Sequence, residues 1–255
     1  MTSPHFHALT PLQHKLREYY SNVRGFLRLT PYVVDAQGAR FVVGTTDYID
    51  RCIAFFGIWE QQQLEDLAQL SATRKIDYFL DVGANAGFYS IMFAVKNLAG
   101  RIVAFEPDPG NYARLMANIN ANSLAGRIET IPLALGNEAS EVILYEGAKW
   151  NRGESTIVAP EQTPQEVTFR VRQARFDDQY ALKDQSIIVK MDVEGYEFKA
   201  LEGMERTLRD NACYLQVEHY GTELERLREQ FAGYGYRFLR TRDIDHFFTN
   251  MPDVG

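Results

Sequence analysis

The chain has 255 residues, 45% of them apolar and 24% charged, with no internal repeat. This is the profile of one large α/β domain with a small addition, and it sets aside disordered, collagen-like and coiled-coil classes. The 27 Lys and Arg against 34 Asp and Glu leave a formal charge of −7, which offers no general attraction to a nucleic acid.

At the front, His5, His7 and His14 match no metal-ligand spacing, and the segment lacks the apolar centre of a secretion signal. From Pro11 to Leu29 the residues Leu12, Leu16, Tyr19, Tyr20, Val23 and Leu27 recur at helical spacings, predicting one helix or two short ones. The basic residues among them, Lys15, Arg17, Arg24 and Arg28, read as a solvated face, with contact to an acidic acceptor or to a second subunit in a homo-oligomer left open. Tyr32 to Val34 and Arg40 to Val43 flank the turn-forming Asp35-Ala-Gln-Gly38 and predict a hairpin. The longest apolar run, Ile53 to Trp59, has seven residues, whereas a bilayer span needs about 20. Residues 1–58 are thus expected to form an N-terminal helical and hairpin extension, and 59–255 the main domain.

Trp59 to Leu70 reads as a helix that opens this domain. Ile76 to Val82 is a strand running into Gly83-Ala-Asn-Ala-Gly87 and a helix from Phe88 to Leu98, the first half of a βαβ unit. Arg101 to Phe105 is a second strand; the next helix starts near Asp108 or Pro109 and ends before Gly126. Arg127 to Pro132 is a third strand, and Val142 to Tyr145 and Val167 to Val171 frame a long polar loop, Gly147 to Pro164. Ser186 to Met191 is a buried strand before a helix from Glu197 to Arg209. Ala212 to Val217 is another strand, Thr222 to Ala232 a helix, and Tyr236 to Arg240 with His246 to Asn250 a closing antiparallel pair. Strands alternating with helices predict a doubly wound sheet, with ligands bound beyond the carboxyl ends of its strands. Cys52 and Cys213 supply neither a disulfide framework nor a cysteine-rich metal site, and a cytoplasmic setting is expected.

Three strand ends carry chemistry. Asp81-Val-Gly83-Ala-Asn85-Ala-Gly87 lets backbone N–H groups approach a ligand closely, and Glu106 stands 23 residues after Gly83, the offset at which a carboxylate takes ribose hydroxyls. Asn85 occupies the middle position of what would otherwise be a dinucleotide fingerprint, and Asp81 would oppose a pyrophosphate. S-adenosylmethionine carries a sulfonium and an ammonium, so Asp81, Glu106 and Asp192 suit it better than NAD. The third strand end holds Lys190, Asp192, Glu194 and Glu197, with Lys190 and Asp192 on one side of the strand and Met191 on the other.

The stretches DVGANAGFYS, AFEP, Ala134-Leu-Gly-Asn137, Asn151-Arg-Gly-Glu-Ser155, Phe176-Asp-Asp178 and, most specifically, Lys190-Met-Asp-Val-Glu-Gly-Tyr-Glu197 resemble the FkbM family of S-adenosylmethionine-dependent methyltransferases. The likeness runs from Trp59-Glu60 to the last hairpin, roughly four fifths of the chain. It implies a mostly parallel, seven-stranded class I methyltransferase sheet of Rossmann-like form, and methylation of a hydroxyl on a sugar, polyketide or other small metabolite. It also implies that Gly83, Asn85, Gly87 and Glu106 contact the cofactor. Family members often separate the acid and the His that follow the later strand, whereas Glu218 and His219 are adjacent here.

Methyl transfer is an in-line displacement, so positioning supplies much of the rate, and an alcohol also gains from a general base. Asp192 is expected beside the transferred methyl, with Glu218 or His219 taking the proton; an amine acceptor would need a base less. Mg²⁺ held by Asp192, Glu218 and His219 is the disfavoured alternative, and no zinc pattern is present. Trp150 and Asn151, in the loop with Lys149, Arg152 and Ser155, are expected with Glu194 at the acceptor pocket. The rival readings are a nicotinamide-dependent oxidoreductase and a non-catalytic nucleoside-binding domain.

Overall fold

A capping box opens the first helix: the Gln13 N–H donates to Thr10 Oγ1 and the Thr10 N–H to the Gln13 side chain, ahead of Pro11 in the first turn. This helix, α1 (Pro11–Phe26), is unbroken in the computed structural model, which describes residues 9–147, 150, 152–158, 168–220 and 223–254. Of the basic residues expected to be solvated, Lys15 and Arg28 are exposed, while Arg17 and Arg24 are half-buried against the body. Buried Ser21, together with Arg17, which donates to the Asp35 carbonyl, turns toward the body, while Leu12, Leu16, Tyr19 and Phe26 are exposed.

β1 (Tyr32–Ala36) and β2 (Ala39–Val43) form the expected hairpin, turning through Gln37 and Gly38 at φ of 55° and 87°. α2 (Tyr48–Phe56) escapes a periodicity reading because its second half is continuously apolar; Asp47 caps it and Gly57 ends it at φ 75°. α3 (Gln61–Thr73) follows. The extension shares an apolar cluster with the main domain, where Phe41 packs on Phe88, and its backbone is tied down by polar bonds. Asn118 Oδ1 accepts the Val42 N–H at 2.7 Å, and Arg114 reaches Asp47 and Asp50 at 3.2 and 2.5 Å.

The remaining elements are β3 (Tyr78–Val82), α4 (Phe88–Val95), β4 (Arg101–Phe105), α5 (Pro109–Ala121), β5 (Ile128–Ile131), β6 (Ala134–Leu135), β7 (Ser140–Tyr145), β8 (Thr168–Ala174) and α6 (Phe176–Gln179). Then come β9 (Ser186–Met191), α7 (Glu197–Gly203), α8 (Glu205–Asp210), β10 (Ala212–Glu218), α9 (Leu224–Gly233), β11 (Arg237–Arg242) and β12 (Asp245–Thr249). The α/β sheet has seven strands in the order β11-β12-β10-β9-β3-β4-β5. It is mixed: β10, β9, β3, β4 and β5 run parallel, and β12 is antiparallel to both neighbours. Alternation along β3 sends Phe79 into one apolar cluster and Leu80 and Val82 into another, so both faces of the sheet are covered.

β6, β8 and β7 make a separate three-stranded sheet. The single helix expected from Glu197 to Arg209 is two, because the Asp177 carboxylate takes the N–H groups of Arg206 and Thr207 and so starts α8 anew. Among the described residues no helix is long and apolar enough to cross a membrane.

Candidate active site

The turn after β3 is built by backbone conformation. Gly83 and Gly87 both lie at φ 83° and Asn85 at 51°. A Cβ on Gly83 would sit 1.7 Å from the Asp192 carbonyl oxygen, so only glycine lets the ends of β3 and β9 meet. One strand over, Glu106 accepts from the Asn85 N–H at 2.6 Å and the Asp108 N–H at 2.8 Å. Burial, with Asp108 and Asp192 nearby, pushes its carboxyl up to about 8 against these two donors. Gly83, Asn85, Glu106, Asn111, Asp192 and Tyr196 line a narrow cleft, into which the β7–β8 connection sends Gly153 and Ser155. Asp81 is not in this wall. Buried beneath α4, it accepts from the Ser90 N–H and hydroxyl at 3.1 and 2.6 Å, and lines a smaller recess with Lys190 and Asp192.

Asp192 also lines a second, roomier cavity with Glu194, Glu218, Tyr48, Trp59 and Glu60. Its Oδ2 accepts from Lys190 Nζ at 2.7 Å, while its Oδ1 is buried without a partner. Burial works against the Lys190 charge, but Asp192, Glu60, Glu218 and Asp245 outweigh it and hold the ammonium well above its usual range. Glu218 receives the Tyr220 hydroxyl at 2.7 Å, and burial followed by repulsion from Asp192 raises it to about 8. Glu194 is raised to about 8 by burial, Asp192 and Glu218, and Glu60 to about 7 by burial. Asp192, Glu194 and Glu218 bring one oxygen each within 4.8 Å of one another.

The structure groups Asp192, Glu194 and Glu218, but His219 lines neither cavity. Its Nδ1 meets Glu197 Oε2 at 2.9 Å, and Glu197 Oε1 accepts the Gly195 N–H at 2.8 Å. The Glu197 bond, opposed by burial, raises the imidazole above its ordinary value. His219 and Glu197 therefore clamp the turn that presents Glu194, and the acidic trio includes Glu194 where His219 was expected. Trp150 is exposed and lines neither cavity; its carbonyl accepts the Tyr48 N–H at 2.9 Å. Asn151 lies outside the described residues.

Sequence reasoning missed Glu60, Tyr48, Tyr220 and Asp245. Glu60 is held by the Tyr89 hydroxyl at 2.6 Å, and Asp245 by Gln63 and Gln216. Only Glu60 carried a signal, as the residue beside Trp59 where the likeness begins.

Residues 81–238 match the family model described as the methyltransferase FkbM domain. The chain is 27% identical over 212 residues to a hexuronic acid methyltransferase, AglP, of Haloferax volcanii, covering 82% of each chain. It is 26% identical over 208 residues to the methyltransferase sdnD of Sordaria araneosa, covering 70% of this chain and 73% of that one. A solved FkbM methyltransferase from Methylobacillus flagellatus is 20% identical with a TM-score of 0.49, over 68% of this chain and 43% of that one. With most of its length inside the family model, this chain belongs to the FkbM methyltransferase domain family.

Proposed function

We propose that this chain transfers a methyl group from S-adenosylmethionine to a hydroxyl of a small, polyhydroxylated acceptor. The observation that carries the reading is that Asp192 lines both cavities, one built by the glycine turn and Glu106, the other by carboxylates and aromatic rings. The first cleft suits the cofactor chemically. Its turn excludes a Cβ at Gly83, the buried Asn85 Oδ1 has no partner, and Glu106 offers a carboxylate for ribose hydroxyls. Bound there, S-adenosylmethionine supplies an electrophilic methyl on a positively charged sulfur.

This chain's own residues would then act as follows. Gly83, Asn85 and Glu106 hold the adenosyl end, whereas Gly87, expected there, lines neither cavity and instead lets the turn pack on Leu115; Asp192, fixed by Lys190, favours positive charge at the junction of the cavities. Glu218, aligned by Tyr220, takes the proton from the acceptor hydroxyl, while Glu194 binds the acceptor. His219 positions Glu194 through Glu197. Lys190 already balances charge among the carboxylates, which supports a reaction without Mg²⁺. A sugar acceptor is supported by the relative named as a hexuronic acid methyltransferase. The carboxylate wall of the acceptor cavity and the net charge of −7 argue against a nucleic acid. Cys52 and Cys213, unpaired and buried, fit a cytoplasmic protein.

The nicotinamide reading is opposed by Asp192 beside the turn, where a pyrophosphate would sit, and by Asn85 in place of the middle glycine. Calorimetry with S-adenosylmethionine, S-adenosylhomocysteine and NAD, followed by labelled-methyl transfer to a panel of sugars, tests the proposal. Heat with NAD alone, or cofactor binding with no transfer to any hydroxylated acceptor, would count against it.

A further inference from the structure

Along α1 the apolar residues Leu12, Leu16, Tyr19, Val23 and Phe26 recur at intervals of four, three, four and three, a single stripe on the helix. Four of its five residues point away from the protein, Leu12 68% exposed, Leu16 59%, Tyr19 71% and Phe26 87%, with Val23 half-buried between them. The opposite side is the seated one. There Ser21 is buried, His14 stacks on Phe56 at 4.6 Å, and Arg24 packs over the Tyr32 ring at 4.8 Å. No charge interrupts the stripe, and Lys15 and Asn22 flank it on one side, Tyr20 and Leu27 on the other. Scattered exposed apolar side chains are ordinary; a contiguous stripe over two heptads needs a partner.

We propose that this stripe pairs with the same stripe of a second copy of the chain, the two α1 helices running antiparallel about a two-fold axis at Tyr19. The pattern is self-complementary in that arrangement. Leu12 meets the partner's Phe26, Leu16 meets the partner's Val23, and Lys15 faces the partner's Asn22, so no like charges are opposed. Counting Tyr20, Leu27 and Leu29, seven large apolar side chains are each more than half exposed. They offer on the order of 800 Å² per copy, about the share one partner contributes to a stable interface. No residue of α1 lines the cofactor or acceptor cavity, so this inference stands apart from the proposed reaction.

Sedimentation equilibrium of the full chain is expected to give twice the 29.2 kDa of one copy. Leu16→Asp combined with Tyr19→Asp should weaken association about 100-fold or more by burying charge in the seam, with unchanged far-ultraviolet circular dichroism. Phe26→Ser should act in the same direction, and Ile143→Asp, at an exposed residue of β7, should leave the pair intact. Tyr19→Cys should give a disulfide-linked pair under mild oxidation. A monomeric wild-type chain, or a pair unaffected by the α1 substitutions, overturns the proposal. So does a monomer that instead sediments with anionic phosphatidylglycerol vesicles.

Discussion

Glu106 is anchored before any ligand arrives, since two backbone N–H groups fix its carboxyl at the end of β4. Glu106→Ala is expected to weaken S-adenosylmethionine about 10-fold or more in calorimetry, through the loss of its hydrogen bonds to the ribose hydroxyls. Glu218→Gln should lower kcat by about 10²- to 10⁴-fold, as for removal of a placed general base. Because Glu194 and Glu218 are both raised to about 8, the wild-type rate should climb with pH through that region, and Glu218→Gln should flatten the profile. An unchanged profile in that variant would move the base elsewhere. Activity is expected to survive exhaustive dialysis against EDTA, with Lys190 serving as the cation at Asp192. At this scale Gly83, Glu106 and Asp192 were legible, because spacing after a strand determines where a side chain emerges. Tyr220 and Asp245 were not, since only the folded arrangement of β10 and β12 brings them to the cavity.

The turns after β3 and β9 meet where Gly83 touches the Asp192 carbonyl, so a change in one element disturbs the other. Gly83→Ala should lower Tm and abolish cofactor binding, because both the positive φ and the 1.7 Å approach forbid the added methyl. The β9 turn depends on the clamp of His219 and Glu197. His219→Ala should lower kcat/KM through misplaced Glu194 while leaving the pH profile in place, in contrast to Glu218→Gln; loss of the profile in both variants would restore His219 to a direct role. Most strands and helices of the main domain could be placed from periodicity and turn residues. The break between α7 and α8 could not, as it depends on Asp177 arriving from α6. Nor could α2 be read, because a buried helix and a buried strand look alike over a short apolar run.

For the molecule as a whole, residues before the main domain help build the carboxylate-lined cavity, since Tyr48 and Ile49 stand in its wall beside Trp59 and Glu60. Arg114 binds α2 to α5 through Asp47 and Asp50, so Arg114→Met should cost about 3 kcal/mol by removing the guanidinium that neutralises these two buried carboxylates, each of which also accepts a backbone N–H. It should also raise the acceptor KM more than the cofactor Kd. Stability should carry the mark of the buried acids. Glu106, Glu194 and Glu218 hold protons more tightly folded than unfolded, moving from 4.5 to about 8. Their contribution is therefore complete below 4.5 and is lost as pH rises through about 8, so Tm should fall over that interval and fall less in Glu194→Gln with Glu218→Gln. The α/β class followed from the alternation of elements, whereas the order of the strands and the outward apolar face of α1 could not be foreseen, because spacing defines a stripe and neither its direction nor its neighbours. The most direct measurement is a crystal structure with S-adenosylhomocysteine and an acceptor sugar. The account predicts ribose hydroxyls on Glu106, sulfur beside Asp192 and an acceptor hydroxyl against Glu218; an adenosyl group seated away from Glu106, or an acceptor outside the carboxylate cavity, would contradict it.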